Sequence, residues 1–149
     1  MNIVIPMAGQ GKRFLDKGYS VSKPLIPVTH LKTGKELPMV VAAIKDLPGS
    51  ENTKNKIICI ERNFHEKACL NQYFKNSTFI SVDYLTEGQA STCLLAKKLI
   101  DNDDELLIGA CDNGLILDLE NLESRKKGVD ALIFTYRYHN LVLENPNAH

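Results

Sequence analysis

Five short apolar runs stand out in the pattern of hydrophobic and polar positions along the chain. Residues 2–6 are almost wholly apolar, which is typical of a strand buried on both faces of a parallel sheet. The same pattern recurs at residues 56–60, 78–85, 105–110 and 129–136. We therefore predict a strand at each of these five places.

Stretches with helical spacing lie between the apolar runs. Residues 39–47 carry their apolar side chains on one face and end at a Pro-Gly pair, and residues 64–74 follow Asn63 as a candidate N-cap. A third helix is expected from Gly88 to about Ile100. Strands that alternate with helices of this length imply right-handed crossovers. The predicted fold class is α/β, with a three-layer, mostly parallel, Rossmann-like sheet.

The longest irregular stretch, residues 9–35, separates the first strand from the first helix. A loop of this length inside a compact domain is usually functional or mobile. In an open α/β sheet, ligands bind outside the carboxyl ends of the strands. Because this loop leaves the first strand at that edge, we expect the active site there.

Composition narrows the function classes. The 149 residues suit one compact domain, and the 18 basic residues balance the 18 acidic ones, so no bulk field attracts nucleic acid or an anionic membrane. No signal peptide or long apolar run is found, and we expect a cytoplasmic protein. The cysteines form no C-x-x-C pair, which favours buried reduced thiols over a disulfide or metal site; they are Cys59, Cys69, Cys93 and Cys111.

The first candidate motif, residues 8–13, directly follows the first strand. Its glycines let the backbone turn tightly and bring N–H groups close to an anion, while Lys12 and Arg13 add charge. The alternative is a plain turn with two exposed cations. A Walker A loop is excluded because Arg13 follows Lys12, and a dinucleotide fingerprint is excluded because Phe14 replaces the third glycine.

The second motif is Ser-Lys-Pro-Leu-Ile-Pro-Val at residues 22–28. Pro24 stiffens the segment and biases Lys23 toward extended geometry, so that the cation is presented at little cost in entropy. The alternative is an irregular loop with an incidental lysine.

The third motif, residues 85–91, ends a predicted strand and opens a helix. Gly88 permits close approach of a ligand, and Gln89 offers a donor and an acceptor suited to a base edge. A plain helix-start turn is the alternative interpretation.

The fourth motif, residues 106–114, is an apolar strand that delivers one carboxylate, Asp112, at its carboxyl end. A lone carboxylate there suits Mg²⁺, which typically takes one or two carboxylates together with substrate phosphates. An Asp-Asn-Gly turn that caps its own backbone is the alternative.

Taken together, these motifs resemble the sugar-phosphate nucleotidyltransferase family of capsule and lipopolysaccharide biosynthesis. The family has a first strand leading into G-x-G-x-R and then K-P-L-[IL]-P, as residues 5–28 do, and residues 86–90, 109–113 and 144–148 match later motifs in order. The resemblance implies a fold of the nucleotide-diphospho-sugar transferase type. It also implies transfer of a nucleoside monophosphate from an NTP to a phosphorylated small-molecule acceptor, with release of pyrophosphate.

The resemblance also implies roles for individual residues. Arg13 and Lys23 would be catalytic, through the β and γ phosphates and the α-phosphate respectively, and Asp112 would hold Mg²⁺. The nucleotide would be bound by residues of the first and third motifs, namely Ala8, Gly9, Gln10, Gly11, Lys12, Glu87, Gly88 and Gln89. An ionised acceptor phosphate needs no general base, so we expect no catalytic histidine and place all four histidines in loops or on the surface.

Two departures from the family pattern qualify this expectation. Cys111 stands where members commonly have Gly before the metal aspartate. Members also continue for roughly another domain. Residues 1–149 are therefore expected to be the nucleotide-binding part, with the acceptor-binding part absent. An open sheet edge would favour self-association. The alternatives are a nucleotide-binding module without turnover, a glycosyltransferase, for which the single carboxylate at Asp112 is unfavourable, and a purely structural domain.

Overall fold

The computed structural model describes residues 1–62 and 70–135. They belong to two compact units, Met1–Ile116 and Leu117–His149. The strands are β1 Asn2–Pro6, β2 Pro27–Thr29, β3 Glu36–Pro38, β4 Lys56–Arg62, β5 Ser77–Val82 and β6 Leu106–Ile108. The helices are α1 Lys12–Leu15, α2 Met39–Lys45, α3 Gln89–Leu94, α4 Lys97–Ile100 and α5 Leu119–Lys126, with a 3₁₀ helix at Lys23–Leu25.

A four-stranded parallel sheet in the order β5-β4-β1-β6 forms the centre of the first unit. Ile3 of β1 is in register with Ile57 of β4 on one side and Leu107 of β6 on the other. All five residues of β1 are buried, as a central strand covered on both faces requires. The prediction of an α/β fold with a parallel sheet is confirmed.

Helices cover both faces of this sheet. Side chains alternate along a strand, so Ile3 and Ile5 join α2 in one apolar cluster, whereas Val4 joins Cys93 of α3 in another. The first unit therefore has three layers, with the sheet between α2 and α3.

Residues 9–35 contain more regular structure than their sequence indicates. They include α1, the 3₁₀ helix and β2, and β2 pairs antiparallel with β3 through Val28 and Leu37. Strands of three residues are too short to show an apolar alternation, which explains why this hairpin was not predicted. The hairpin turn is closed by backbone hydrogen bonds from His30 N to Lys35 O and from Gly34 N to His30 O, both 2.8 Å long.

Two predicted elements differ from the structure. The helix expected from Gly88 to Ile100 is divided into α3 and α4, because Ala96 N donates to Cys93 O in a tighter i→i−3 turn. The strand expected at residues 129–136 is not formed in residues 129–135, which pair with no strand among the described residues and therefore lack the ladder of hydrogen bonds that a strand requires.

Other predicted bounds shift or fall outside the described residues. The strands predicted at 78–85 and 105–110 end earlier, at Val82 and Ile108. Most of the helix predicted at 64–74 lies outside the described residues.

The second unit contains α5, which begins at Asp118. The Asp118 carboxylate accepts hydrogen bonds from the backbone N–H groups of Glu120 and Asn121, both at 3.1 Å, and so satisfies two of the free donors of the first turn. Among the residues that the structure describes, no helix has the length and apolarity needed to cross a membrane.

Candidate functional site

Three of the four motifs lie at the carboxyl ends of parallel strands. The first follows β1, the third follows β5, and the fourth consists of β6 and the turn after it. The second motif lies in the excursion between β1 and β4. Parallel strands end at the same edge of a sheet, so the topology carries the strand-end motifs to one side of the molecule.

The glycine-containing loop turns sharply into α1. Gly11 has a φ of 62°, in the left-handed region that favours glycine, and its carbonyl accepts from Phe14 N at 2.9 Å. Lys12 and Arg13, the first residues of α1, are exposed, as are Gly9 and Gln10. Ala8 is buried in the apolar cluster with Cys93, so its side chain belongs to the core.

Lys23 connects the second motif to the other two. Its ammonium forms an ion pair with the carboxylate of Asp112, 89 residues later. Its stem lies against the glycine loop, where a Cβ built on Gly11 would come 3.1 Å from Lys23 Cβ. Its Nζ is also 5.6 Å from the ring centroid of Phe14, within cation–π range. The structure therefore brings Gly11, Lys23 and Asp112 together.

Asp112 is the residue predicted to hold a metal ion, and its surroundings bear on that prediction. Its side chain is 33% exposed in the turn that follows β6, and one carboxylate oxygen is engaged by Lys23. The described residues contain no group of three or more His, Cys, Asp or Glu side chains that could enclose a metal ion. A single carboxylate fits an ion that takes most of its remaining ligands from phosphates and water.

The third motif reaches the same sheet through α3, which packs on β1. Gly88 has a φ of 137° and nothing within 4 Å of a Cβ built on it. Thr92 Oγ1 donates to Gly88 O at 2.9 Å and hydrogen-bonds Thr86 Oγ1, which holds the turn closed. Glu87 and Gln89 are exposed on either side of Gly88.

An open cleft of about 620 Å³ lies beside the 3₁₀ helix that begins at Lys23. None of the residues predicted to bind nucleotide or metal lines it. Its walls are Lys17, Gly18, Tyr19, Ser20, Val21, Ile26 and Pro27.

The three described cysteines are free thiols with little nucleophilic character. Burial raises the pKa of Cys59 to about 12, with smaller contributions from Glu61 and Cys111. Burial also raises the pKa of Cys111, to about 11, although the ammonium of Lys23 acts in the opposite direction. Burial raises the pKa of Cys93 as well. These thiols stay protonated at neutral pH, which agrees with the prediction of reduced cysteines; Cys69 lies outside the described residues.

One group beside the site was not predicted. His30 lies in the turn between β2 and β3, which agrees with the expectation of a loop or surface position, but it is only 4% exposed, and its Nε2 is 3.2 Å from Oδ1 of Asp46. No periodic or motif signal marks this pair, because its partners come from the hairpin turn and the end of α2. The other histidines, His65, His139 and His149, lie outside the described residues.

Comparison of the chain with family models, with curated proteins and with solved structures gives no match. The case for a function therefore depends on the motifs and on the contacts that the fold makes between them.

Proposed function

We propose that this chain is a nucleotidyltransferase that transfers a nucleoside monophosphate from an NTP to a phosphorylated small molecule, with a sugar phosphate for surface polysaccharide as the acceptor class. The observation that carries the proposal is the ion pair between Lys23 and Asp112 beside Gly11. These three residues come from three separate motifs, to which the family resemblance gives roles at the nucleotide. The parallel sheet is of the kind expected for the nucleotide-diphospho-sugar transferase type.

The charges at this edge suit a triphosphate. Lys12 and Arg13 are exposed at the start of α1, and the side chain of Lys23 lies next to Gly11. A guanidinium and two ammonium groups can oppose the negative charge of the three phosphates. Without nucleotide, the carboxylate of Asp112 is the ion-pair partner of Lys23. A bound α-phosphate would replace that carboxylate as the partner of the ammonium.

Asp112 would hold Mg²⁺, which supplies charge neutralisation at the phosphates when it is bound. With Asp112 serving as a metal ligand, the ammonium of Lys23 would be available to contact the α-phosphate. This exchange of partners gives the ion pair a function in the free protein, since it keeps both groups at the place where the nucleotide needs them.

The reaction is an in-line displacement. An acceptor phosphate oxygen forms a bond to the α-phosphorus, the bond from that phosphorus to the bridging oxygen of the β-phosphate breaks, and pyrophosphate leaves with the electron pair. The attacking oxygen is already ionised near pH 7, so no side chain has to remove a proton. Arg13, Lys12 and Lys23 orient the triphosphate and lower the electrostatic cost of bringing two anions together.

The backbone of the first motif and the residues of the third motif complete the proposed nucleotide site. Gly9 and Gln10 would offer backbone N–H groups to the phosphates, while Glu87, Gly88 and Gln89 would line the base and ribose pocket. Ala8 takes part through its backbone alone, because its side chain is buried.

Calorimetric titration with ATP, CTP, GTP, UTP and dTTP, each with and without Mg²⁺, tests the proposal. We expect selective binding of one nucleotide that is strengthened by Mg²⁺. Pyrophosphate release is then followed with that nucleotide and a panel of sugar 1-phosphates and other phosphorylated metabolites. Failure of folded protein to bind any nucleotide would contradict the proposal, and tight binding without pyrophosphate release would instead support a nucleotide-binding module.

A further inference from the structure

The end of α2 holds a buried carboxylate whose two oxygens face different parts of the first unit. Asp46 follows the last residue of α2, and its side chain is 6% exposed. Oδ1 is 2.7 Å from Nζ of Lys32 and 3.2 Å from Nε2 of His30. The other ring nitrogen of His30, Nδ1, is 2.8 Å from Thr33 Oγ1, so the hairpin turn fixes the imidazole.

The other oxygen of Asp46 faces the turn that follows Asp112. A Cβ built on Gly114 would lie 2.7 Å from Asp46 Oδ2, closer than atoms of this kind approach. Gly114 is not among the glycines with positive φ. Glycine is therefore needed at this position for space beside Asp46 and not for backbone conformation. Since Oδ1 is held by two partners, the carboxylate cannot move away from an added methyl group without losing them.

Leu47, the residue after Asp46, makes a second contact with this part of the chain, at a glycine that precedes Asp112. A Cβ on Gly109 would lie 2.6 Å from Cδ1 of Leu47. Leu47 is buried in the cluster that also receives Cys111 and Leu115. The end of α2 thus touches the β6 segment before Asp112 through Leu47 and after it through Asp46.

Burying a carboxylate costs free energy that an apolar residue would not incur. Desolvation raises the pKa of Asp46, but hydrogen bonds and charge interactions with Lys32 and His30 outweigh it, so that the net pKa lies below the ordinary value of 3.8. The group is therefore an anion at neutral pH. Lys32 and His30 thus hold this anion in place at the end of α2.

We propose that Asp46 is a positioning residue, which holds the turn at residues 110–114 and thereby sets Asp112 opposite Lys23. The inference rests on the proposed function for its purpose, since Asp112 is taken to bind the magnesium–nucleotide complex. Its structural content does not depend on that function. Asp46 touches neither the nucleotide nor the metal in this proposal and acts through Gly114.

Variants of the full chain at positions 46 and 114 test this role, and backbone amide NMR signals and nucleotide affinity are the readouts. In Asp46→Ala we expect the amide signals of Asp112 and Asn113 to shift. The dissociation constant for the magnesium complex of the best-bound of the five NTPs should rise about tenfold or more, the scale seen when groups that orient a metal ligand are removed. Asp46→Asn keeps the shape of the side chain and should restore both readouts to near wild type.

Gly114→Ala tests the contact itself. The added methyl group should weaken binding in the presence of Asp46, whereas in the Asp46→Ala background, where Oδ2 is gone, it should cause little further loss. Lys45→Ala is the matched control. It removes a surface ion pair with Glu51, 2.7 Å long, at the neighbouring position of α2 and should move neither readout.

The outcomes separate the two proposals. Unshifted amide signals at Asp112 and Asn113 in Asp46→Ala, or strictly additive effects of the changes at positions 46 and 114, would overturn the positioning role. Shifted signals with an unchanged dissociation constant would also overturn it. If the wild-type chain binds no NTP, the proposed function fails, and the amide shifts still decide whether Asp46 holds the turn.

Discussion

At the residue scale, the central feature is the contact between Lys23 and Asp112. The family resemblance implies a role at the nucleotide for each residue, and the fold joins the two as an ion pair. Their meeting next to Gly11 could not be predicted from spacing, because 89 residues separate them. Asp46 and His30 gave no signal at all, since a buried polar pair has the sequence appearance of two ordinary surface residues.

Replacing Arg13 tests the phosphate loop. Arg13→Ala should weaken NTP binding by about 1.5–3 kcal/mol, because a charge-assisted hydrogen bond to phosphate is lost. Calorimetric dissociation constants measure this change. Arg125→Ala is the control, since Arg125 Nε donates to Asn121 on the surface of α5, and an equal loss in both variants would remove Arg13 from the site.

Replacing Asp112 tests the metal assignment. Asp112→Asn keeps the shape of the side chain and removes its charge, so NTP binding should lose most of its dependence on Mg²⁺ while the fold is retained. Titrations with and without Mg²⁺ give the comparison. Asp104→Asn, at an exposed position ahead of β6, should leave the dependence unchanged. The same Mg²⁺ dependence in Asp112→Asn and in wild type would argue against a metal at Asp112.

At the element scale, the central strands were predicted well and the short elements were not. β1 matches its predicted bounds, and β4 begins at the predicted residue, because a strand buried on both faces leaves a continuous apolar run. The β2–β3 hairpin and the division between α3 and α4 depend on a few backbone hydrogen bonds that have no periodic signature. The predicted strand at 129–136 shows that an apolar run alone does not make a strand without a partner.

The packing of β6 against the end of α2 can be measured. In Gly109→Ala the new methyl group would approach Leu47 Cδ1 to 2.6 Å and Ile5 Cδ1 to 3.0 Å. Overpacking of this kind should lower the free energy of unfolding by about 1–3 kcal/mol. Urea denaturation provides the measurement. Gly9→Ala is the control, because Gly9 has open space around it and no positive φ, and a change as large as that of Gly109→Ala would contradict the packing argument.

At the scale of the whole molecule, the first unit is a sheet covered on both faces, with the candidate site at one edge of it. Balanced charge means that affinity for an anion has to come from local groups such as Arg13 and Lys23. Long-range contacts also determine how stability responds to pH, since Asp46 joins the hairpin turn to the end of α2.

The stability of the protein should depend on pH through Asp46. The pKa of Asp46 in the folded state lies below the ordinary value of 3.8. The contribution of its charge to the free energy of unfolding is therefore fully present above pH 3.8 and is lost as the pH falls through the lower pKa of the folded state. Asp46→Asn should therefore be less stable than wild type at pH 7, by about 1–3 kcal/mol, and the difference should shrink toward pH 3. Urea denaturation of both proteins across this range tests it; a constant difference would mean that the carboxylate charge is not involved.

The sequence by itself determined the fold class, the central strands and the placement of three motifs at strand ends. These properties follow from local patterns, because burial on both faces requires an apolar run and a strand end has to turn. Only the tertiary structure decided the strand order β5-β4-β1-β6, the ion pair of Lys23 with Asp112 beside Gly11, and the close approach of Gly114 to Asp46. Those contacts join distant segments, and their geometry depends on how the whole sheet and its helices pack.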